Sequence, residues 1–276
     1  MKKIIIIILI SVFFVFNSIF GDEIPDRIVS LAPNVTEILF ALDLGNRVIG
    51  VTNYCDYPEE ARKIPKIGGM SNPSLEAVVS LKPDIVVMTT DGNQKKFEER
   101  LRSLKIKTYV FKSRRLSELP QGIRDMGSAL GAREKASSFS SEMEKTISKF
   151  GRTLPSAKKT KILFIIWPEP LIVAGYGTAI DDVITLLGGE NIASKTKVTY
   201  PKFSIEEIIR QAPDLIFIGK GHTNIKEASK GLLKKIGAVP AVKTGAVFFV
   251  SDNLYRLGPR VVKGIEEMAE CLKQKY

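Results

Sequence analysis

Five aromatic side chains stand in loop contexts where flat faces could hold a ligand. Tyr54 and Tyr57 lie in Asn-Tyr-Cys-Asp-Tyr-Pro, Trp167 in Trp-Pro-Glu-Pro, Tyr200 just ahead of Pro201, and Tyr255 in Ser-Asp-Asn-Leu-Tyr-Arg. Aromatic faces bury large areas at little entropic cost, so the set favours a large, flat or partly apolar ligand. Bond-breaking chemistry is harder to find. There is a single histidine, His222, in a loop after Gly219-Lys220-Gly221, which rules out most histidine-built metal sites and leaves few ways to assemble a histidine-based triad. Two cysteines cannot hold a zinc ribbon or an all-thiolate cluster. Gly175-Tyr176-Gly177 and Gly219-Lys220-Gly221 lack the third glycine of a dinucleotide fingerprint, and there is no P-loop or Gly-x-Ser-x-Gly elbow. Asp181 and Asp182 open a helix, where its dipole accounts for them. No catalytic set, metal site or cofactor is expected. An exported hydrolase using Asp56 or Asp252 would need a second group within hydrogen-bonding reach.

A second constellation is repeated. Ser74-Leu75-Glu76, six residues, then Pro83-Asp84-Ile85-Val86 recurs as Ser204-Ile205-Glu206, six residues, then Pro213-Asp214-Leu215-Ile216. Serine, glutamate, proline and aspartate all return at the same offset. Each copy reads as a serine N-cap, a helix of about two turns, a Pro-Asp turn and a buried strand. Glu207, three residues after Ser204, suits a capping box and leaves Glu206 facing outward. Two similar lobes would then each present one carboxylate, Glu76 or Glu206, for docking to a partner. Leu44-Gly45 and Leu187-Gly188 suit left-handed helix endings in each half.

These residues need a scaffold, and short β-branched runs alternating with amphipathic stretches supply one. Strands are expected at 27–31, 47–51, 84–88, 107–111, 161–166, 171–173, 215–218 and 246–250, which gives an α/β fold with largely parallel sheets. Residues 116–150 carry no strand pattern. Gly131 and Gly151 bracket a stretch without glycine or proline, read as a rigid connector of about 20 residues and about 30 Å. The expected organisation is a signal peptide over 1–21, a first lobe over 22–125, an interlobe helix over 126–152 and a second lobe over 153–276. Met1-Lys2-Lys3 followed by the apolar run to Phe16 is the leader pattern, cleaved after Gly21 or kept as an anchor. The body of the protein is thus expected to be periplasmic or otherwise extracytoplasmic. The 276 residues are 44% hydrophobic, enough for a core of this size. Their net charge of +11 is spread over separate segments, with only Tyr200 interleaved, so nucleic acid is not expected as a partner.

At this level the chain resembles the periplasmic substrate-binding proteins of ABC importers whose lobes are joined by a helix, and within them the cobalamin (vitamin B12) binding branch. The carriers are Arg27-Ile-Val-Ser-Leu-Ala-Pro-Asn-Val-Thr-Glu37, Tyr54-Cys-Asp-Tyr-Pro58, Leu81-Lys-Pro-Asp84, Leu187-Gly-Gly-Glu-Asn191 and Ser251-Asp252. The resemblance implies two similar α/β lobes with central, mostly parallel sheets joined by one long rigid helix, and modest closure. It implies a corrinoid ligand between the lobes, a membrane permease as partner and a monomeric protein. Tyr54 would contact the corrinoid. Asp252, Asn253, Leu254, Tyr255 and Arg256 would line the opposite wall, with Trp167 and Tyr200 nearby. Tyr200 stands where cobalamin binders carry a ligand-facing tryptophan, while Thr89 and Gly68-Gly69 stand where they place others. Glu76 and Glu206 match the glutamates that meet permease arginines. Cys271 matches half of a family disulfide whose other half is Leu187 here, so two free thiols are implied, with Cys55 near the ligand. The alternative ligand in the same class is haem or a ferric siderophore.

Overall fold

The computed structural model describes residues 24–151, 159–221 and 224–275, so the leader and His222 lie outside the described residues. Strands form where the β-branched runs stand. In the first lobe β1 (Ile28–Ser30), α1 (Pro33–Ala41), β2 (Val48–Val51), α2 (Leu75–Ser80), β3 (Ile85–Thr89), α3 (Lys95–Ser103) and β4 (Lys107–Phe111) follow in order. Their strands make a parallel sheet in the order β2-β1-β3-β4, with Ile28 beside Ile85 and Val86 beside Thr108.

The connector differs from the expected 126–152 helix. Helix α4 (Leu119–Ala129) ends before Gly131, which takes the left-handed φ of 77°, and α5 (Arg133–Ile147) starts two residues later. The pair folds back as a hairpin: Ala132 N–H donates to the Gly127 carbonyl, and Arg124 reaches Glu144 at 2.8 Å. A Cβ on Gly127 would lie 2.2 Å from that of Ala136, so glycine lets the helices touch. Fifteen residues span about 22 Å. The rod is therefore shorter than expected and braced along one side, because the helix-forming stretch upstream of Gly131 belongs to α4.

The second lobe runs β5 (Lys161–Pro168), β6 (Leu171–Val173), α6 (Ala179–Leu186), β7 (Glu190–Asn191), α7 (Ile205–Gln211), β8 (Leu215–Gly219), α8 (Ile225–Lys235), α9 (Pro240–Lys243), β9 (Val247–Val250) and α10 (Val261–Lys275). Parallel β5-β8-β9 repeats β1-β3-β4, and the short β7 lies beside β5 as β2 lies beside β1. The antiparallel β6 is added at the edge. The sequence repeat is a structural one. Ser74 and Ser204 each accept the backbone N–H three residues on, at 3.1 and 3.2 Å. Lys82 and Ala212, equivalent positions, both sit at φ 48°. Asp84 accepts the N–H groups of Asp26 and Arg27 ahead of β1, and Asp214 accepts that of Lys161 at the start of β5, all at 2.9 Å. Each Pro-Asp turn thus fixes where the central strand begins. One expected helix ending differs: Gly188 takes a positive φ, but after α1 it is Asp43 that does so. Gly45 is needed for room instead, since a Cβ there would lie 2.5 Å from the Phe40 ring.

Both faces of each sheet are covered, as parallel sheets require. Leu163 and Ile165 pack outward with Ile216, Ile218 and Ile208, while Ile162 and Phe164 face inward. The outer cluster of the first lobe holds Val29, Leu31, Val86 and Met88. The inner faces join one continuous cluster that runs from Val35, Ile38, Phe111 and Met126 through Ala136 and Met143 of α5 to Phe164, Phe217, Leu257 and Met268. The halves are fused through this core rather than held apart.

Candidate functional site

In both sheets the loops after the strands face the same seam, the end of an α/β sheet where ligands bind. The loop after β2 carries Tyr54, Asp56 and Tyr57, and that after β9 carries Asp252 to Arg260. Two arginines of the latter cross the seam. Arg260 donates to both oxygens of Glu37 on α1, at 2.6 and 3.0 Å, and its guanidinium lies 4.7 Å from the centroid of the Tyr57 ring. Arg256 donates to Asp56 at 2.7 Å and pairs with Asp252 at 2.5 Å. The Asn34 side chain donates to the Leu257 carbonyl at 3.3 Å. Ser251 fixes the loop base by donating through its N–H and hydroxyl to Glu267 of α10.

Burial decides the electrostatics of Glu37. Its side chain is 1% exposed, and desolvation pushes its pKa up although Arg260 and Arg256 pull it down. For the more open Asp56, burial raises the pKa, but Arg256 outweighs it and leaves the carboxyl below its usual range. Asp56 and Asp252 are thus engaged by the same arginine rather than set as an acid–base pair.

A second bridge lies further along the seam. The Tyr200 hydroxyl donates to Asp91 at 2.9 Å, and burial together with the Asp91 charge raises its pKa. Tyr200 rides on residues 199–203, which pair along β6: Val173 N–H donates to Pro201 and Gly175 N–H to Thr199. Asp91 sits in the loop after β3, which Asn93 staples by accepting from Thr89 N–H and donating to Leu31 and Met70 carbonyls. Asp182 of α6 accepts from the Arg115 guanidinium and, at 2.9 Å, from Leu116 N–H, tying the second lobe to the segment after β4. Asp181 is enclosed by Asn191, Gly177 and Ser194, a structural cluster.

The expected site residues divide. Tyr54 is 61% exposed at the seam, beside Arg256, whose guanidinium contacts the Tyr54 carbonyl at 3.4 Å. Trp167 stands half-buried at the β5–β6 turn, its indole N–H donating to the Glu169 carbonyl. Tyr255 packs within its own lobe: a Cβ on Gly219 would lie 2.8 Å from its ring, and one on Gly221 1.8 Å from its hydroxyl. The Gly-Lys-Gly run is there to receive that tyrosine. Burial, then the Asp252 charge, raises the Tyr255 pKa to about 12. Leu254 is 1% exposed and belongs to the core, so its side chain does not line the seam. Asn253 is half-buried, and its side-chain oxygen has no partner among the described residues. Thr89 is buried, and Gly68 lies at φ 101° against the Asn72 and Ser74 backbone. Glu76 and Glu206 are both exposed, in the first turns of α2 and α7. Ser204 caps Glu207 N–H, but the Glu207 carboxylate goes to Arg210 and Gln211, so only half of the capping box forms.

Both thiols are free, as implied. Cys55, however, turns away from the seam. It is 1% exposed with its sulfur 3.1 Å from the hydroxyls of Thr36 and Thr52, and burial raises its pKa. Arg260 stands with Arg256 in the loop after β9, where the sequence puts two cations near the ligand, but Glu37 and Asp91 were not legible as seam residues. Glu37 looks like an ordinary helix residue, and only the Asp91-Gly92-Asn93 turn could have drawn attention to Asp91.

Known proteins share this architecture. A family model described as "Periplasmic binding protein" matches residues 28–254. The chain belongs to the periplasmic binding protein family. Within that family it is 31% identical over 259 residues to an uncharacterized ABC transporter substrate-binding lipoprotein, YvrC, of Bacillus subtilis, covering 90% of this chain and 80% of that one. It is 26% identical over 251 residues to a vitamin B12-binding protein of Pectobacterium carotovorum, covering 90% and 89%. Among solved structures, the periplasmic haem-binding protein RhuT of Roseiflexus sp. RS-1 superposes with a TM-score of 0.80 at 26% identity, over 90% of this chain and 98% of that one. The periplasmic vitamin B12-binding protein BtuF of Vibrio cholerae does so with 0.77 at 25%, over 92% and 99%. This periplasmic binding protein is therefore of the ABC transporter class, related to B12 and haem binders. Such proteins bind small molecules and deliver them to a membrane permease. No helix of the described residues is long and apolar enough to cross a membrane.

Proposed function

We propose that this periplasmic binding protein captures cobalamin or a related corrinoid in the seam between its lobes and delivers it to an ABC permease, which it meets through Glu76 and Glu206. One observation carries the choice of ligand. The two arginines that the 251–260 loop brings to the seam already face three carboxylates, Glu37, Asp56 and Asp252. Haem propionates and anionic siderophores need cations to receive them, and these two are committed. A corrinoid carries amides around an apolar ring. It asks for aromatic faces such as those of Tyr54 and Tyr200, which are left open to solvent.

Haem is the second reading, favoured by the exposed Tyr54, because a tyrosine phenolate can ligate haem iron. Calorimetric titration of the purified protein with cyanocobalamin, haemin and ferric siderophores separates the readings. Saturable binding of cyanocobalamin is expected, and saturable binding of haemin alone would reverse the order. The protein acts as a monomer with a cleaved or anchoring leader over residues 1–21, and mass spectrometry of the exported form reads that cleavage directly.

A further inference from the structure

The repeated helices α2 and α7 present more than a glutamate each. Val79 is 39% exposed and Ile209 is 45% exposed, among the few large apolar side chains left open to solvent in the described residues. Their numbers differ by 130, the offset that also separates Glu76 from Glu206, Ser74 from Ser204 and Lys82 from Ala212. Each stands three residues after its glutamate, which places the two side chains about 5–6 Å apart on one helix face. The caps at one end of these helices and the φ of 48° at the other hold the two copies in the same local geometry. In the second lobe Arg210, the neighbour of Ile209, is held by Glu207 at 2.6 and 2.8 Å, so it does not compete for Glu206. The own-backbone N–H and Ser204 keep the Glu206 pKa below the usual carboxylate range, so it is charged. An isolated exposed apolar residue needs no explanation; two at equivalent places, each beside an exposed carboxylate on a chain of net charge +11, do.

We propose that Val79 and Ile209 are docking contacts: each lobe offers the permease one carboxylate and, a helical turn on, one apolar knob. This rests on the docking reading of Glu76 and Glu206 and adds the surface that excludes water from it. The receiving surface would hold two equivalent sites, each pairing a cation with a shallow apolar pocket. On a chain of net charge +11, an exposed carboxylate at each of these two places favours a cationic partner face there, so charge sets the approach and the knobs set the fit.

Site-specific crosslinking in the native cells tests this with the full chain, using p-benzoylphenylalanine in place of Val79, Ile209, Glu76 or Glu206 in four separate variants. All four positions are exposed, so folding is preserved. Positions 79 and 209 are expected to capture the same membrane-embedded permease subunit as positions 76 and 206, identified by mass spectrometry. Capture from 76 and 206 but not from 79 and 209 overturns this inference and leaves the glutamate docking in place. Capture of a second copy of this chain from 79 and 209 also overturns it. Capture of no membrane polypeptide from any of the four overturns the docking reading itself.

Discussion

Arg260 of the second lobe closes a two-pronged ion pair on Glu37 of the first, over a carboxylate that is 1% exposed and beneath the Tyr57 ring. The lobes are thereby locked at one side of the seam. Breaking a buried pair from one side leaves an uncompensated charge, so Arg260→Ala is expected to cost about 3 kcal/mol, read as a shift of the denaturant midpoint. A shift no larger than that of an ordinary surface substitution would mean that Glu37 is solvated in solution.

The same pair fixes a pH dependence. Burial raises the Glu37 pKa above its unfolded value, so its contribution to stability is full below about pH 4.5 and lost as pH rises through the folded pKa. A Gln at this place cannot lose it. The melting temperature of Glu37→Gln relative to the unaltered protein should therefore rise between pH 4 and pH 7.5. A relative melting temperature that falls over this range would show that Arg260 outweighs burial.

The α4–α5 hairpin depends on a missing side chain. Gly127→Val would drive its side chain into Ala136 and should cost about 2 kcal/mol, with a lowered melting temperature. Ala→Gly at position 136 in the same chain should recover part of that loss, because the two sites share one contact.

Charge reversal at both proposed docking positions, Glu76→Lys with Glu206→Lys, should abolish uptake of labelled cobalamin by cells while calorimetry of the purified variant is unchanged. Normal uptake would remove the docking role.

Much of the fold was legible because the central strands are short β-branched or apolar runs: Ile28, Val86, Leu163 and Ile216 all lie in buried strands where the pattern places them. The repeat was legible because Ser74, Asp84, Ser204 and Asp214 act on backbone groups close in sequence or at strand starts, where type and spacing carry the information. The connector was misjudged because nothing before Gly131 marks a fold-back, and only the Gly127–Ala136 contact explains it. In the seam, Tyr54 and Tyr200 stand where their loops put them, but Leu254 and Cys55 turn inward and Tyr255 packs on its own glycine loop. Side-chain direction in a loop depends on long-range packing that spacing does not encode. Glu37 and Asp91 escaped for the same reason, since each gains its meaning from a partner more than a hundred residues away.

The central claim, a corrinoid held at the seam, is tested most directly by titrating cyanocobalamin into the unaltered protein and into the double variant Tyr54→Ala, Tyr200→Ala. One saturable site per chain is predicted for the first. Affinity at least tenfold weaker, about 1.4 kcal/mol, is predicted for the second. Equal affinity in both proteins, or saturation by haemin with no response to cyanocobalamin, would contradict it.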